Sequence, residues 1–326
     1  MSFRPIYIVG NSRSGTTMLS RIMNNHSQVY ALPELHYFER YHASERADSS
    51  KQIEAAIYLL RIINKGFFDQ TTDEEFLPLA SALIQAHAPD SYGGVYRLIL
   101  EYTAREKGKA VLCEQTPQNI FYQEQIYSIF PDARFIHIVR DPRDVLLSQK
   151  RKWRRASQGA TFIPMKETIR AYFNYHPYTI SRIWKSVVSK AFITKLITIR
   201  YEDLILNPDH ILPIICSECK LDYEKGMELV PITGSSSAKD SQELGMNHSR
   251  IAAWERGGLN SAELFISNAV VKNQAKELGY VFKKTFPNPL LLLTYILYFP
   301  IQIAVAIMLN LGRQKNMISA IKRRLR

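Results

Sequence analysis

The sequence predicts an α/β protein of three layers, in which helices cover both faces of a central parallel sheet. Short apolar runs alternate with amphipathic helical patterns along most of the 326 residues. Apolar runs without polar alternation are typical of strands that are buried on both faces, as in a parallel sheet. The length suffices for one large α/β domain or for two small ones.

Four strands are predicted, each followed by a polar or charged segment. They are residues 6–9, 110–113, 134–139 and 193–199. A helix from Thr16 to Asn25 follows the first strand, while Asp141 and Pro142 supply an N-cap and a first-turn proline after the third. Residues 41–108 form a predicted helical insertion between strands, because apolar residues recur there at helical spacing.

Composition excludes a disordered chain, since hydrophobic residues make up 46% and charged residues 22%. The formal net charge of +12 favours an anionic partner, which could be a phosphorylated nucleotide, a nucleic acid or an acidic lipid surface. Cys216 and Cys219 form one C-x-x-C pair with no second pair nearby, whereas a closed zinc site needs four ligands. We therefore expect reduced cysteines and no bound metal.

The C-terminal segment, residues 285–326, differs from the predicted domain of residues 1–284. Residues 285–312 carry no charge and are long enough to cross a bilayer, for which about 20 apolar residues suffice. Pro300 would kink such a helix or split it into two in-plane pieces. A basic tail follows, containing Arg313, Lys315, Lys322, Arg323, Arg324 and Arg326. We predict membrane association through residues 285–312 on the cytoplasmic side; the alternative is a buried or oligomer-forming helix.

A phosphate-binding loop is predicted directly after the first strand. Residues 10–17 read GNSRSGTT and open a helix, so their backbone N–H groups would form an anion site at the helix N-terminus. The spacing is that of the nucleotide-binding motif G-x-x-x-x-G-K-S/T, but Thr16 occupies the lysine position. The cation lies inside the loop instead, at Arg13.

Residues 12–17 resemble the 5′-phosphosulfate loop of sulfotransferases that use 3′-phosphoadenosine-5′-phosphosulfate (PAPS), in which a Lys or Arg precedes Ser-Gly-Thr-Thr. The resemblance implies a P-loop-like fold with PAPS as the donor. It places the 5′-phosphosulfate on Arg13, Ser14, Gly15, Thr16 and Thr17. Arg13 would stabilise the leaving oxygen electrostatically, because a guanidinium does not readily give up a proton.

Residues 136–148, IHIVRDPRDVLLS, resemble the 3′-phosphate element of the same family, in which a strand ends in Arg and Ser follows eight residues later. The resemblance implies that Arg140 and Ser148 bind the 3′-phosphate, with Arg140 making a planar two-pronged contact. An isolated strand-end arginine would instead pair with a structural carboxylate such as Asp144.

Three further positions bear on the resemblance. Tyr201, in the run RYEDL, resembles the family's strand-end tyrosine near the adenine. Residues 249–258 resemble the basic loop that closes over the 3′-phosphate, with Arg250 and Arg256 competing for the role and surface arginines as the alternative. Gln115 departs from the family, because related enzymes have a lysine there in Glu-Lys-Thr-Pro.

Glu34 is the first candidate for the catalytic base. The Pro-Glu pair at residues 33–34 resembles a segment of a subset of sulfotransferases, in which that Glu is the base. His36 is the second candidate, since an unperturbed imidazole suits proton abstraction near neutral pH. Glu34 could instead cap a helix N-terminus. The predicted function is transfer of the sulfuryl group from PAPS to a hydroxyl or amine, without a metal.

Two other functions are compatible with parts of the sequence. One is a phosphoryl-transfer enzyme with an altered loop, which would need ATP and magnesium and could use Asp141 to hold the metal. The other is a non-enzymatic membrane or nucleic-acid binder. The basic run KRKWRR at residues 150–155 favours this function. A solvated face explains that run better than a binding role does, so we expect no nucleic-acid partner. A lipid, glycolipid or carbohydrate acceptor is compatible with the sequence.

Overall fold

Five strands form one parallel sheet, in the order β2-β3-β1-β4-β5. The structure is a computed structural model that describes residues 3–66, 72–154, 165–232 and 243–310. The strands are β1 Ile6–Gly10, β2 Val29–Ala31, β3 Val111–Glu114, β4 Arg134–Val139 and β5 Ile197–Arg200. β3 pairs in parallel with β1 and with β2, so that Cys113 lies opposite Ile6 and Val111 opposite Val29. Every residue of β1 and β3 is buried, as continuous apolar runs predict for central strands.

The helices confirm the predicted alternation of strands and helices. They are α1 Thr16–Asn24, α2 Ser49–Lys65, α3 Leu77–His87, α4 Tyr92–Lys107, α5 Gln123–Ile129, α6 Pro142–Lys150, α7 Met165–Phe173, α8 Pro177–Ile193, α9 Tyr201–Leu206, α10 Pro208–Glu218, α11 Ser261–Glu277 and α12 Pro289–Asn310. α2, α3 and α4 form the helical insertion between β2 and β3. Asp48 and Ser91 start α2 and α4, because each side chain accepts a backbone N–H of the first turn.

Two strands differ from the prediction. β2 is not predicted, because its three residues are too few to show a pattern. The last strand begins at Ile197 rather than at residue 193, because α8 continues as far as Ile193. An apolar run of this length is compatible with either a strand or a helix, and here tertiary packing decides for the helix.

The chain divides into two compact units, which are described separately. Unit 1 consists of Met1–Val9, Thr16–His137 and Asp209–Val230, and unit 2 of Gly10–Gly15, Ile138–Pro208 and Pro231–Arg326. In unit 2, Trp184 of α8 is fully buried in a core with Val145 of α6 and Val271 of α11. The Trp184 Nε1–H donates a hydrogen bond to the carbonyl of Arg140 at 2.9 Å, which fixes the chain just after β4.

The apolar C-terminal segment forms one continuous helix, α12, although Pro300 lies inside it. The helix is long and apolar enough to cross a membrane by these two criteria alone. It packs against α7 and α11 within unit 2. The basic tail after it, residues 311–326, lies outside the described residues.

Candidate functional site

The loop after β1 has a backbone that only certain residues allow. A Cβ at Gly10 would lie 2.4 Å from the carbonyl oxygen of Ile138, so the loop needs glycine there. Gly15 has φ 106°, and Arg13 takes φ 78°, a left-handed conformation that is uncommon for a residue with a side chain. The Ser14 N–H donates to the carbonyl of Asn11 at 3.1 Å, closing the turn. The loop is therefore held in a shape that the chain would not adopt without a constraint.

The inner side of this loop offers groups to an anion. The Ser14 hydroxyl is buried and has no hydrogen-bond partner among the described residues. Thr16 and Thr17 are the first two residues of α1, where backbone N–H groups lack intrahelical acceptors. A buried hydroxyl without a partner is unfavourable unless a ligand bonds it, so this loop fits an anionic group.

Unit 2 brings the two predicted phosphate-binding elements together. Arg13 Nε donates a hydrogen bond to the hydroxyl of Ser148, on α6, at 2.9 Å. Arg140, which directly follows β4, donates from Nη1 to the carbonyl of Arg13 at 3.5 Å. The loop after β1 and the segment after β4 are thus in direct contact through three of the residues that the sequence singled out.

The Arg140 guanidinium is almost fully buried and only partly neutralised. Its Nη2 lies 3.5 Å from the Asp144 carboxylate, which is the structural pairing expected of an isolated strand-end arginine. Arg140 also donates to the carbonyl of Arg250, and its guanidinium stacks over the ring of Tyr201 at 4.7 Å. Its Nε has no hydrogen-bond partner among the described residues. A donor therefore remains for a ligand even with Asp144 in place.

Asp144 has an unusual environment of its own. Burial raises the pKa of its carboxyl group, while the charge of Arg140 and the backbone N–H of Trp254 act in the opposite direction. That N–H donates to Asp144 Oδ1 at 2.9 Å. Asp144 thus links α6 to the loop that contains Arg250 and Arg256.

Tyr201 packs directly beneath the phosphate loop. A Cβ at Gly15 would lie 2.6 Å from Cδ2 of Tyr201, so the ring occupies the space that a side chain at position 15 would need. Glu202, the next residue, accepts the N–H of Asp141 at 2.9 Å and the hydroxyl of Tyr280 at 2.8 Å. Glu202 and Tyr280 hold the ends of β4 and β5 in place and were not found from the sequence.

Arg250 and Arg256 both lie on the surface of the short loop after residue 247. The carbonyl of Arg250 accepts from Arg140, whereas its side chain is exposed. Arg256 is exposed and donates to the carbonyl of Ser249. The backbone of Arg250 is therefore part of the cluster, and a ligand role for either side chain stays a prediction.

Unit 1 contains the two candidate bases in one hydrogen-bonded cluster. His36 Nε2 lies 3.1 Å from Glu34 Oε2, and His36 Nδ1 lies 2.8 Å from Oε1 of Glu39. Burial alone would lower the pKa of His36, but the hydrogen bonds and charges of Glu34 and Glu39 outweigh it and raise the pKa to about 10. Glu39 is a functional candidate that the sequence did not reveal.

A buried carboxyl group at the end of β3 positions this cluster. Glu114 accepts the backbone N–H groups of Leu35 and Thr116 at 3.2 Å and 3.1 Å. The Thr116 hydroxyl accepts the N–H of Leu35 at 2.9 Å and that of His36 at 3.2 Å. Burial raises the pKa of Glu114 to about 7, opposed by its hydrogen bonds to Thr116 and Leu35. Glu114 and Thr116 flank Gln115, the position at which this chain departs from related enzymes.

The comparisons with known proteins agree with this geometry. A family model described as "Sulfotransferase family" matches residues 5–225. An uncharacterized protein of Aquifex aeolicus (strain VF5) is 25% identical over 224 residues, covering 68% of this chain and 26% of that protein. The chain spans less than a third of the curated relatives that it matches.

Two solved structures have the same fold. The sulfotransferase domain from the olefin synthase of Synechococcus PCC 7002 matches with a TM-score of 0.56 and 18% identity, over 86% of this chain and 96% of that one. The sulfotransferase domain from the curacin biosynthetic pathway matches with a TM-score of 0.52 and 17% identity, over 85% and 98%. Together with the family model, which covers well over half of the sequence, these findings show that the chain belongs to the sulfotransferase family, with its P-loop-like fold.

Proposed function

We propose that the protein transfers the sulfuryl group of PAPS to a hydroxyl or amine of an acceptor. The observation that carries the proposal is the hydrogen bond between Arg13 and Ser148, because it joins a cation inside the phosphate loop to the second anion-binding element. A lysine-based nucleotide loop would have no such cation at this position. The two elements together fit a nucleotide that bears anionic groups on both its 5′ and 3′ sides.

The residues of unit 2 fit the donor in the following way. Backbone N–H groups of residues 14–17 and the unpartnered Ser14 hydroxyl would bind the 5′-phosphosulfate. Arg140 and Ser148 would bind the 3′-phosphate, since Arg140 keeps a buried donor in addition to its pairing with Asp144. Tyr201 supports the loop from below and would contact the adenine, with Arg250 or Arg256 closing over the 3′-phosphate.

The reaction forms a bond from the acceptor oxygen or nitrogen to sulfur and breaks the bond from sulfur to the bridging phosphate oxygen, which leaves with the electron pair. Arg13 would stabilise the charge that develops on that oxygen, because its guanidinium stays protonated. The acceptor proton must pass to a base in the same step. No metal is needed for these roles.

Glu34 is the proposed base, with His36 as a positioning residue. Both ring nitrogens of His36 face carboxylates, and only an imidazolium has two N–H groups to donate. A protonated histidine cannot accept a further proton, so the geometry favours Glu34 over His36. The Glu34 side chain is 37% exposed, which leaves it accessible to an acceptor hydroxyl.

The topology of the sheet supports this assignment of roles. The phosphate loop follows β1, and Arg140 and Tyr201 follow β4 and β5. Open α/β sheets bind ligands at the carboxyl ends of their strands, next to the strand where the order reverses. Here β1 lies at that reversal, with β3 on one side and β4 on the other.

The phosphoryl-transfer alternative is weakened by the surroundings of Asp141. Asp141 caps α6 by accepting the N–H of Arg143, and its two oxygens accept Arg143 Nε and Nη2 at 2.9 Å and 2.7 Å. A carboxylate engaged on both oxygens is a poor magnesium ligand. The basic run of residues 150–155 also has a structural role, since Lys150 pairs with Glu263 at 2.8 Å, while residue 155 lies outside the described part of the chain.

The proposal also includes a location in the cell and a class of acceptor. We assign membrane association to residues 285–312 because α12 is apolar and largely exposed. We assign the cytoplasmic side because the sequence after this segment is basic and suits an anionic leaflet. An enzyme held at a membrane would meet lipid or glycolipid acceptors, and a carbohydrate acceptor is the alternative class.

The first test is calorimetric binding of 3′-phosphoadenosine-5′-phosphate (PAP), ATP and ADP to the purified chain, each with and without magnesium. We expect selective binding of PAP that does not depend on magnesium. Arg143→Lys provides a control variant, because this arginine lies on α6 near the site and its guanidinium is bound to Asp141. Preference for ATP with magnesium would overturn the proposal in favour of phosphoryl transfer.

A further inference from the structure

α12 is attached to the rest of unit 2 along one side of its length. The residues on that side are four, three and eight positions apart, which places them on one face of a helix. Tyr295 contacts His176 and Asn260, and Phe299 contacts the rings of His176 and Tyr178. Gln302 donates hydrogen bonds to the carbonyls of Phe173 and Tyr175. Asn310 donates a hydrogen bond to the side chain of Asn174.

These contacts are specific polar bonds as well as apolar packing. Gln302 is buried, and its amide donates to the carbonyl of Phe173, the last residue of α7, and to that of Tyr175 just after the helix. Arg170 of α7 donates to the carbonyl of Leu309, in the last turn of α12. Both halves of α12, before and after Pro300, are therefore bonded to the protein.

The opposite side of α12 is a continuous exposed apolar stripe. Its members are Leu290, Leu293, Leu297, Ile301 and Met308. Successive members are three, four or seven residues apart, so they share the face opposite Tyr295 and Gln302. Exposed apolar residues that adjoin along one face of a helix indicate an interaction site.

The charges around α12 indicate what covers the stripe. Lys283 and Lys284 precede the helix, and the cations Arg313, Lys315, Lys322, Arg323, Arg324 and Arg326 follow it. No acidic residue occurs in the sequence after Glu277. A second copy of the chain would bring two such basic segments together, which is unfavourable, whereas an anionic lipid leaflet attracts both flanks.

We propose that α12 lies in the plane of one anionic leaflet and embeds its exposed stripe there, instead of crossing the bilayer. A spanning helix would have to give up the contacts of Gln302, Tyr295 and Asn310, and leave a glutamine in hydrocarbon. An in-plane helix keeps these contacts on its protein side and places the cations of both flanks at the same surface. The inference rests on the membrane association proposed above and specifies its geometry.

The test uses the full chain, synthesised in the presence of sealed vesicles of phosphatidylcholine with or without phosphatidylserine. Lys284→Cys provides a label site before α12 in the chain, and Arg326→Cys provides one after it. The native cysteines, Cys113, Cys216 and Cys219, are buried. We expect flotation with the anionic vesicles, and labelling of both sites by an impermeant maleimide added outside. Labelling of only one site before detergent is added would overturn the in-plane placement and leave membrane association intact.

Substitutions in the stripe test which surface makes contact. Leu293→Asp with Leu297→Asp should reduce vesicle binding by about tenfold or more, because carboxylates are repelled by the leaflet and insert poorly. Ile193→Asp is the matched control, since Ile193 is 75% exposed and Leu297 66%, and Ile193 lies at the end of α8 remote from its contact with α12. Equal binding by the double variant would refute the stripe as the lipid contact.

PAP affinity, measured on every variant, separates the inference from the enzymatic proposal. Unchanged PAP binding with no flotation would refute membrane association and leave the donor assignment standing. A stable dimer in solution that does not bind vesicles would replace the lipid leaflet by a second copy of the chain. Loss of PAP selectivity in the unaltered chain would refute the donor assignment and leave the vesicle result to stand by itself.

Discussion

The charge of His36 determines which group in unit 1 can act as a base. Its two ring nitrogens lie 2.8 Å and 3.1 Å from carboxylate oxygens of Glu39 and Glu34. A neutral imidazole has a single N–H and would turn a lone pair toward one of these carboxylates. We therefore expect His36 to titrate at about 10, far above its ordinary value of 6.5.

The size of the effect follows from this rise in the pKa. One pKa unit corresponds to ~1.4 kcal/mol, so the full rise corresponds to at most about 5 kcal/mol. The side chains of His36 and Glu34 are 24% and 37% exposed, so solvent screening reduces the contribution to about 2–3 kcal/mol. Glu39→Gln removes the nearer carboxylate and keeps an oxygen acceptor, and it should lower the pKa of His36 by about 1–2 units.

The sign of the pH dependence is fixed by the direction of the shift. Below pH 6.5 the histidine is protonated in the folded and the unfolded chain, so the ion pair contributes its full stabilisation. As the pH rises from 6.5 toward 10, only the folded chain retains the proton, and the contribution is lost. The free energy of unfolding should therefore decrease with pH in this window, more steeply than in a His36→Gln variant.

The assay is an NMR titration of ring-labelled histidine, with the His36 signal assigned by its loss in His36→Gln. His42→Gln controls for the removal of a histidine ring as such, because His42 is exposed. A His36 signal that titrates at or below 6.5 would refute the reasoning. The imidazole would then be neutral at working pH, and His36 would replace Glu34 as the base.

Three further substitutions test the donor site and the chemistry. Glu34→Gln should lower kcat by about 10²–10⁴-fold with the PAP affinity unchanged, which steady-state kinetics and calorimetry check; full activity would contradict the assignment of the base. Arg140→Ala should weaken PAP binding by about 30–150-fold, which corresponds to about 2–3 kcal/mol for a charged contact. Wild-type affinity in this variant would mean that Arg140 only pairs with Asp144 and does not bind the donor. Gly15→Ala should weaken PAP binding by about tenfold and lower the melting temperature, because the new methyl group would clash with the Tyr201 ring and the backbone at position 15 has a positive φ. Unchanged PAP affinity and melting temperature would show that the loop tolerates rearrangement.

The fold was largely predictable, because the buried strands are mostly apolar. β1 stands out as a continuous apolar run, and the apolar run of β4 is interrupted only by His137 after Arg134. β2 is too short to be recognised, and the start of β5 cannot be separated from the apolar end of α8 by sequence pattern alone. Both differences arise where local sequence permits two structures and packing selects one.

The two elements of the proposed donor site could be predicted from the sequence, but their contact with each other could not. The loop spacing and the position of Arg140 single out residues 10–17 and 136–148, but the contact of Arg13 with Ser148 joins residues 135 positions apart. The supporting carboxylates Glu39, Glu114 and Glu202 were missed, because their roles depend on backbone groups that folding brings to them. The one available signal was the position of Glu114 directly at the end of an apolar strand, where a buried carboxyl group calls for a partner.

The proline in α12 has a mechanical consequence. Pro300 has no N–H and cannot donate to the carbonyl of Ile296, so one backbone bond is missing near the middle of the helix. Both residues are exposed, and at a lipid surface water can bond that carbonyl, whereas hydrocarbon could not. The helix therefore resists bending less at this turn than elsewhere, and in the proposed in-plane placement this would let its exposed face adjust to a curved membrane surface.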